Sequence, residues 1–265
     1  MRLHTLTQRL AYTALLQARP RLPPSTSTAN LALTRDAIHG LTSHQETETS
    51  LWNNLRHPDI RKPIQSFLYR AMHASLRVGK FWTHIPGYHD RATCSHCNDP
   101  TESLDHIPTT CPSLERTTVW NLACSIWPTP FGEWQDPTLG LILGCGSISP
   151  PQPPAGNPPP AAVAQARIRR ILISESAYLI WTLRCERVIT GKIHTAKPIR
   201  NRWIHKINLR LLIDRQRARS PHRPRLKRQV QITWSPLLAN QPNLPPDWVT
   251  DPEVLVGIVL PRPSA

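Results

Sequence analysis

Residues 94–111 read CSHCNDPTESLDHIPTTC, which sets Cys94, Cys97, His106 and Cys111 in the pattern C-x2-C-x8-H-x4-C. Two cysteines separated by two residues can grip a metal ion from one tight knuckle. A His and a Cys five positions apart can close a tetrahedron from the next turn. Four protein ligands leave no open coordination position, so this CCHC pattern predicts one structural zinc ion rather than a hydrolytic site. Other readings stand beside it. Cys94 and Cys97 could be surface thiols, or a redox pair, although no strand precedes them and no helix begins at Cys94. His96 or His89 could replace His106 as the nitrogen ligand, and the lone Cys124, Cys145 and Cys185 read as small core residues.

The loop between Cys97 and His106 carries Asp99, Glu102 and Asp105, with no cation and no aromatic residue. Knuckles that read single-stranded RNA stack bases on aromatic side chains and hold phosphates with Lys or Arg. The metal is therefore read as a staple for surrounding helices. Nucleic-acid contact is expected from its flanks, at Arg70, Arg77, Lys80, Trp82 and Arg91.

Working outward, Ile60, Ile64, Leu68, Met72 and Leu76 recur every four residues, with Phe67 and Ala71 beside them. This spacing predicts an amphipathic helix with Asp59 as N-cap, Pro63 in the first turn and Gly79 as the residue that ends it. Upstream, Leu3, Leu6, Leu10 and Ala14 mark a short helix that must stop before Pro20, and a polar Ser/Thr/Pro loop is expected to about residue 30. Downstream, Trp120, Trp127 and Trp134 read as core or lid residues of a small helical unit. Residues 147–164, SISPPQPPAGNPPPAAVA, carry seven prolines and no charge, and predict a semi-rigid linker. Residues 165–190 then predict the strongest helix, ended by Gly191, and 198–217 a second one marked by Ile199, Trp203, Ile207 and Leu211. The short connection between them predicts an antiparallel hairpin. The expected organisation is an N-terminal helix and polar loop (1–50), a helical zinc-knuckle region (51–146), the linker (147–164), the hairpin (165–217) and a basic tail with an irregular C-terminus (218–265). Val230–Trp234 and Val254–Val259 read there as short β-prone pieces. The fold class is mainly α, made of small helical units without one large continuous core, and with poorly ordered basic and C-terminal segments.

The chain has 32 Lys and Arg against 17 Asp and Glu, a formal net charge of +15. Most of the cations are Arg, which binds phosphate in a bidentate fork and stacks on bases, so the expected partner is RNA or DNA, bound without sequence preference. Arg215, Arg217, Arg219, Arg223, Arg225, Lys227 and Arg228 form the densest run, and the hairpin offers a possible protein partner as the alternative. No run of about 18 apolar residues exists, so no membrane span is expected. The lack of a secretory h-region places the six cysteines in a reducing, intracellular setting. Residues 1–35 contain no acid and five arginines among Ser and Thr, a composition that mitochondrial transit peptides share. The acids are scattered, with no paired carboxylates to hold two Mg²⁺ ions, no P-loop, no G-x-S-x-G and no H-E-x-x-H, so no catalysis is expected.

Residues 64–111, IQSFLYRAMHASLRVGKFWTHIPGYHDRATCSHCNDPTESLDHIPTTC, resemble the C-terminal zinc-binding region of fungal non-LTR (LINE-type) retrotransposon polyproteins, downstream of their reverse transcriptase and ribonuclease H domains. Phe67, Leu68 and His73 match an F-L-x-x-x-x-H helix, and Gly79 and Trp82 match the G-x-x-W stretch before the cluster. Thr7–Tyr12 and Ser174–Ile189 extend the likeness. The resemblance implies the ligands Cys94, Cys97, His106 and Cys111, a role as an RNA- or DNA-binding appendage of a polymerase, and nuclear residence. The reverse transcriptase and ribonuclease H domains are missing from this chain, so their reactions are not implied. Pro108 stands where an aliphatic helix residue is expected and could distort the ligand turn.

Overall fold

The computed structural model describes residues 7–18, 26–220, 222, 224–239 and 241–260. Among these the chain is mainly helical: α1 (Gln8–Ala18), α2 (Thr26–Thr42), α3 (Glu48–Asn54), α4 (Lys62–Met72), α5 (Leu114–Ser125), α6 (Leu139–Leu143), α7 (Pro160–Thr190), α8 (Ala196–Ala218) and α9 (Pro224–Trp234). The four-residue stripe of α4 and its flanks is the buried face, with Ile60, Ile64, Leu68, Met72 and Leu76 all inside. On α8, Ile199, Trp203, Ile207 and Leu211 are likewise buried.

Helix α7 is the axis of the molecule and packs against α4, α5, α6, α8 and α9. It ends at Gly191, in the left-handed conformation. Contacts from Glu186 to Arg202, Ser176 to Trp203 and Arg167 to Asp214 run in opposite sequence directions, so α7 and α8 form an antiparallel hairpin. Its apolar side is turned into the chain, with exposed apolar residues at the turn, Ile189 and Ile193, and at Leu212. Trp120 and Trp127 are buried and Trp134 packs against Trp127 at 5.3 Å, with the Arg169 guanidinium 4.7 Å from the Trp127 ring centroid.

Buried residues before and after the proline-rich stretch, from Leu31 to Val249, belong to one cluster, which corrects the expectation of helical islands without a common core. The reason is that α7, which begins at Pro160 inside the stretch, supplies the surface on which α4, α5 and α6 bury their stripes. Four local expectations are also corrected. The polar segment before residue 30 gives way to α2, whose Leu31, Thr34 and Ile38 face inward, Thr34 donating its hydroxyl proton to the Asn30 carbonyl at 2.7 Å. Asp59 is not a cap: α4 starts at Lys62, its N-cap residue Arg61 makes no side-chain cap bond, and Asp59 turns into the core. Gly79 does not end that helix either. Ala74 takes the left-handed conformation (φ 47°), the Ser75 amide donates to the Arg70 carbonyl and the Ala74 amide to the Ala71 carbonyl, both at 2.9 Å. That is a Schellman closure with alanine where glycine is usual. Finally, Val230–Trp234 is helical within α9, because Val230 and Trp234, four residues apart, both reach the core beside α7 and α8. The segment after it pairs by one antiparallel bridge, Leu238 with Ile258.

The polar interior is ionic. Asp59 accepts hydrogen bonds from Arg167 (2.9 Å), Arg170 (2.7 Å) and Arg210 (3.3 Å), and Asp214 accepts from Arg167 and Arg210, both at 2.6 Å, and from the Trp234 indole at 2.9 Å. All five charged groups are buried. Burial alone would push the Asp59 carboxyl up, but Arg167 and Arg170 outweigh it and hold it at about 2.

Candidate metal centre and basic aromatic surface

One ligand atom from each of Cys94, Cys97, His106 and Cys111 lies within 4.8 Å of every other, a cluster that could hold a metal ion. Cys94 and Cys111 sulfurs are 3.8 Å apart and Cys97 Sγ is 3.3 Å from His106 Nε2. Tetrahedral zinc with Zn–S near 2.3 Å and Zn–N near 2.0 Å requires edges of about 3.8 Å and about 3.6 Å, so the cage is compatible with one such ion. The two cysteine ligands come from a knuckle closed by the Cys94 amide on the Asp99 carbonyl and the Asn98 amide on the Cys94 carbonyl, both at 2.9 Å, with Asn98 in the left-handed region at φ 59°.

His106 and Cys111 meet through a π turn, His106–Thr110, in which the Cys111 amide donates to the His106 carbonyl at 2.8 Å. An α-helix would put positions i and i+5 well apart around its axis; the wider turn brings both inward. Pro108 sits inside this turn without opening it: Ile107 and Thr109 still donate to Ser103 and Asp105 at 3.2 and 3.1 Å. The Pro108 carbonyl accepts from the Trp120 indole at 2.8 Å, and Arg116 binds the carbonyls of Cys111 and Thr109. His106 Nδ1 is 3.1 Å from the Thr110 hydroxyl and 3.6 Å from the Asp99 carboxylate. Both oxygens are placed to accept a proton from Nδ1, the tautomer that would leave Nε2 free to ligate. Burial pushes the Cys111 thiol up to about 12, against the opposing pull of the Ser113 amide; a bound cation is what would make a thiolate favourable there.

The knuckle is bolted to α7. Glu102, only 1% exposed, receives both guanidinium arms of Arg184, and Arg187 donates to Glu115 at 2.6 Å and to Ser95 at 3.4 Å. Gly79 lies against the same loop with φ +49°, and a Cβ there would come within 2.4 Å of the Glu102 carbonyl oxygen. That close approach accounts for the glycine of the G-x-x-W stretch.

Beside the knuckle, two 3-10 turns, Gly79–His84 and His89–Ala92, bring aromatic rings and arginines together. Trp82 meets Phe81 edge-on at 5.1 Å and Tyr88 at 5.7 Å. The Arg91 guanidinium lies 4.6 Å from the Tyr88 ring centroid and 5.1 Å from that of Trp82, and Arg77 lies 5.4 Å from Phe81. Phe81, Tyr88, Arg77 and Lys80 are exposed; Trp82 and Arg91 are half-buried. Of the expected flank residues, Arg77, Lys80, Trp82 and Arg91 therefore share one surface, and Arg70 is exposed on α4. Phe81 and Tyr88 went unnamed, although the run KFWTHIPGYHDR carries both.

The tail run divides. Arg215 is buried and donates to the carbonyls of Trp248 (2.8 Å) and Val249 (3.4 Å), and Arg217 donates to Pro58 at 3.1 Å. Arg215 falls on the inner side of α8, whereas Arg217, on another side of the helix, is half-buried and held by one backbone carbonyl, so the seven cations are not equally free to meet a phosphate. Arg219, Arg225 and Arg228 are exposed, Lys227 is half-buried, and Arg223 lies outside the described residues. No helix among the described residues is long and apolar enough to cross a membrane. Comparison of the chain with protein-family models, with curated proteins and with solved structures gives no match.

Proposed function

We propose that the chain is a nucleic-acid-binding module, without catalysis of its own, in which one structural zinc ion at Cys94, Cys97, His106 and Cys111 fixes the surface that meets the ligand. The observation that carries this reading is the cluster of Phe81, Trp82 and Tyr88 with Arg77 and Arg91 directly beside the cage. Rings with open faces stack on bases, and arginines beside them contact phosphate or extend the stack. The net charge of +15 supplies the long-range attraction. The order of helix, G-x-x-W stretch and cysteine cluster supports an origin in a retrotransposon polyprotein. Docking of a protein on the α7–α8 hairpin is less well supported, because the hairpin's apolar faces are used inside the chain.

The test is fluorescence anisotropy of a labelled single-stranded oligonucleotide titrated with the zinc-loaded chain. Trp82→Ala and Arg91→Gln should each weaken binding by about tenfold, the scale of one lost stack. Unchanged affinity in both variants would remove this surface from the reading.

A further inference from the structure

A second aromatic site lies away from the cage. Helices α3 and α4 enclose an open cleft of about 680 Å³ lined by Trp52, Arg56, Lys62, Ser66, Tyr69 and His73. Its wall is a preassembled stack: Trp52 and His73 lie 4.7 Å apart at 22°, and Tyr69 meets His73 edge-on at 4.6 Å. Ser27 on α2 holds His73 by its Nδ1 at 3.0 Å, and the Trp52 indole nitrogen is directed to Glu48 at 3.4 Å, away from the ring face. Tyr69 is 51% exposed, and among the described residues its hydroxyl has no hydrogen-bond partner. Arg56 and Lys62 are exposed at the rim with no ion-pair partner among the described residues. A core has no use for rings kept ordered at the surface, and a soluble face has no use for apolar ones.

We propose that this cleft is a stacking subsite for one unpaired base of a single-stranded nucleic acid, with Arg56 and Lys62 on the adjoining phosphate. This rests on the nucleic-acid reading above. The ligand class follows from the pairing of ring faces with unmatched cations, which suits a base joined to a phosphate and suits an acidic peptide less well. A base inside a duplex has both faces covered by its neighbours and cannot enter, so the cleft favours single strands over duplexes.

The experiment uses the full zinc-loaded chain and a fluorescein-labelled oligothymidylate of about 12 nucleotides, alone and annealed to its oligoadenylate complement. Tyr69→Ala should weaken single-strand binding between about fivefold and about a hundredfold and leave duplex binding unchanged. Tyr69→Phe, which keeps the ring, should restore the single-strand affinity. Arg56→Gln with Lys62→Gln should weaken both forms. Equal single-strand affinity for Tyr69→Ala and the parent chain, while Trp82→Ala binds more weakly, overturns the cleft and leaves the surface beside the cage standing. Loss of both forms together in Tyr69→Ala also overturns it, and no binding by the parent chain overturns both readings.

Discussion

Replacing Asp59 with an asparagine should expose how the interior is held. In the native chain two carboxylates, Asp59 and Asp214, face three guanidinium groups, Arg167, Arg170 and Arg210. The substitution would leave one carboxylate for three buried cations and turn an amide N–H₂ toward a donor. Two routes give the magnitude. The carboxyl lies at about 2 against a usual 3.8, and at about 1.4 kcal/mol per pH unit that interval corresponds to roughly 2–3 kcal/mol at neutral pH. Removing one partner of a buried ion pair typically costs about 3–5 kcal/mol. A loss near 3 kcal/mol is expected, a fall in Tm of about 6–12 °C for a domain of this size. Urea unfolding followed by tryptophan fluorescence reads it directly.

The sign of the pH dependence is fixed. A carboxyl held low in the folded state contributes fully above its unfolded value, and loses that contribution as pH falls through the folded one. The gap between the parent chain and Asp59→Asn should therefore hold from neutral pH to about 4 and close toward about 2. His57 adds a second titration: burial, then Arg170, holds it down at about 4 against the upward pull of Asp59, so in the parent chain its contribution is lost between 6.5 and about 4, and in Asp59→Asn, without that pull, the loss runs to lower pH. A stability difference below about 1 kcal/mol at neutral pH, or one that does not narrow in acid, would refute the assignment of Asp59 as the counter-charge of the core.

Three further outcomes are expected. The purified chain should carry one zinc per molecule by elemental analysis, Cys97→Ser and Cys111→Ser should lose it, and chelation should raise hydrogen exchange around 92–112 while α7 and α8 stay protected; zinc content unchanged in both variants refutes the cage. Changing Arg219, Arg225, Lys227 and Arg228 together to Gln should flatten the salt dependence of duplex binding by about 3 in the log–log slope, whereas Arg215→Gln should lower stability and leave the slope alone; the reverse pattern would show that the packing of α8 does not decide which cations reach phosphate. Ala74→Gly should stabilise the chain by about 1 kcal/mol in the same urea assay, because glycine takes φ 47° without the Cβ clash, and a destabilised variant would contradict that turn.

Much of the helical plan was legible because it rests on apolar period. Ile60 to Leu76 and Ile199 to Leu211 bury the stripes their spacing marks, and the cysteine spacing brings its four ligands together. What escaped was the pairing of charged residues. Arg167, Arg170, Arg184 and Arg210 are each buried against a carboxylate from a distant segment, and such pairing carries no local signal. The end of α4 was misplaced because a glycine was awaited where an alanine accepts the left-handed turn. Helix α2 was hidden by threonines whose hydroxyls bond back to the helix carbonyls, a use that composition cannot tell from a loop.

The acidic knuckle loop shows how burial reverses a reading of charge. Asp99, Glu102 and Asp105 together look set to repel phosphate from the cage. Glu102, however, is neutralised inside by Arg184, and Asp99 turns toward His106. A charge matched at close range in a dry site contributes little to the potential outside. Arg77, Lys80 and Arg91 have no ion-pair partner among the described residues, and neither do the exposed Asp90 and Asp105, so the cations beside the cage face a loop whose acidity is reduced rather than removed. The same pairing also fixes position. Arg184 and Arg187, on the last turns of α7, hold the knuckle from one side, while Arg167 and Arg170, roughly 25 Å back along the same helix, anchor the Asp59 cluster. One rigid helix thereby sets the metal cage relative to the core without the cage having to carry the fold, and the aromatic surface inherits that position through Gly79, whose lack of a side chain lets the turn lie directly on the Glu102 backbone.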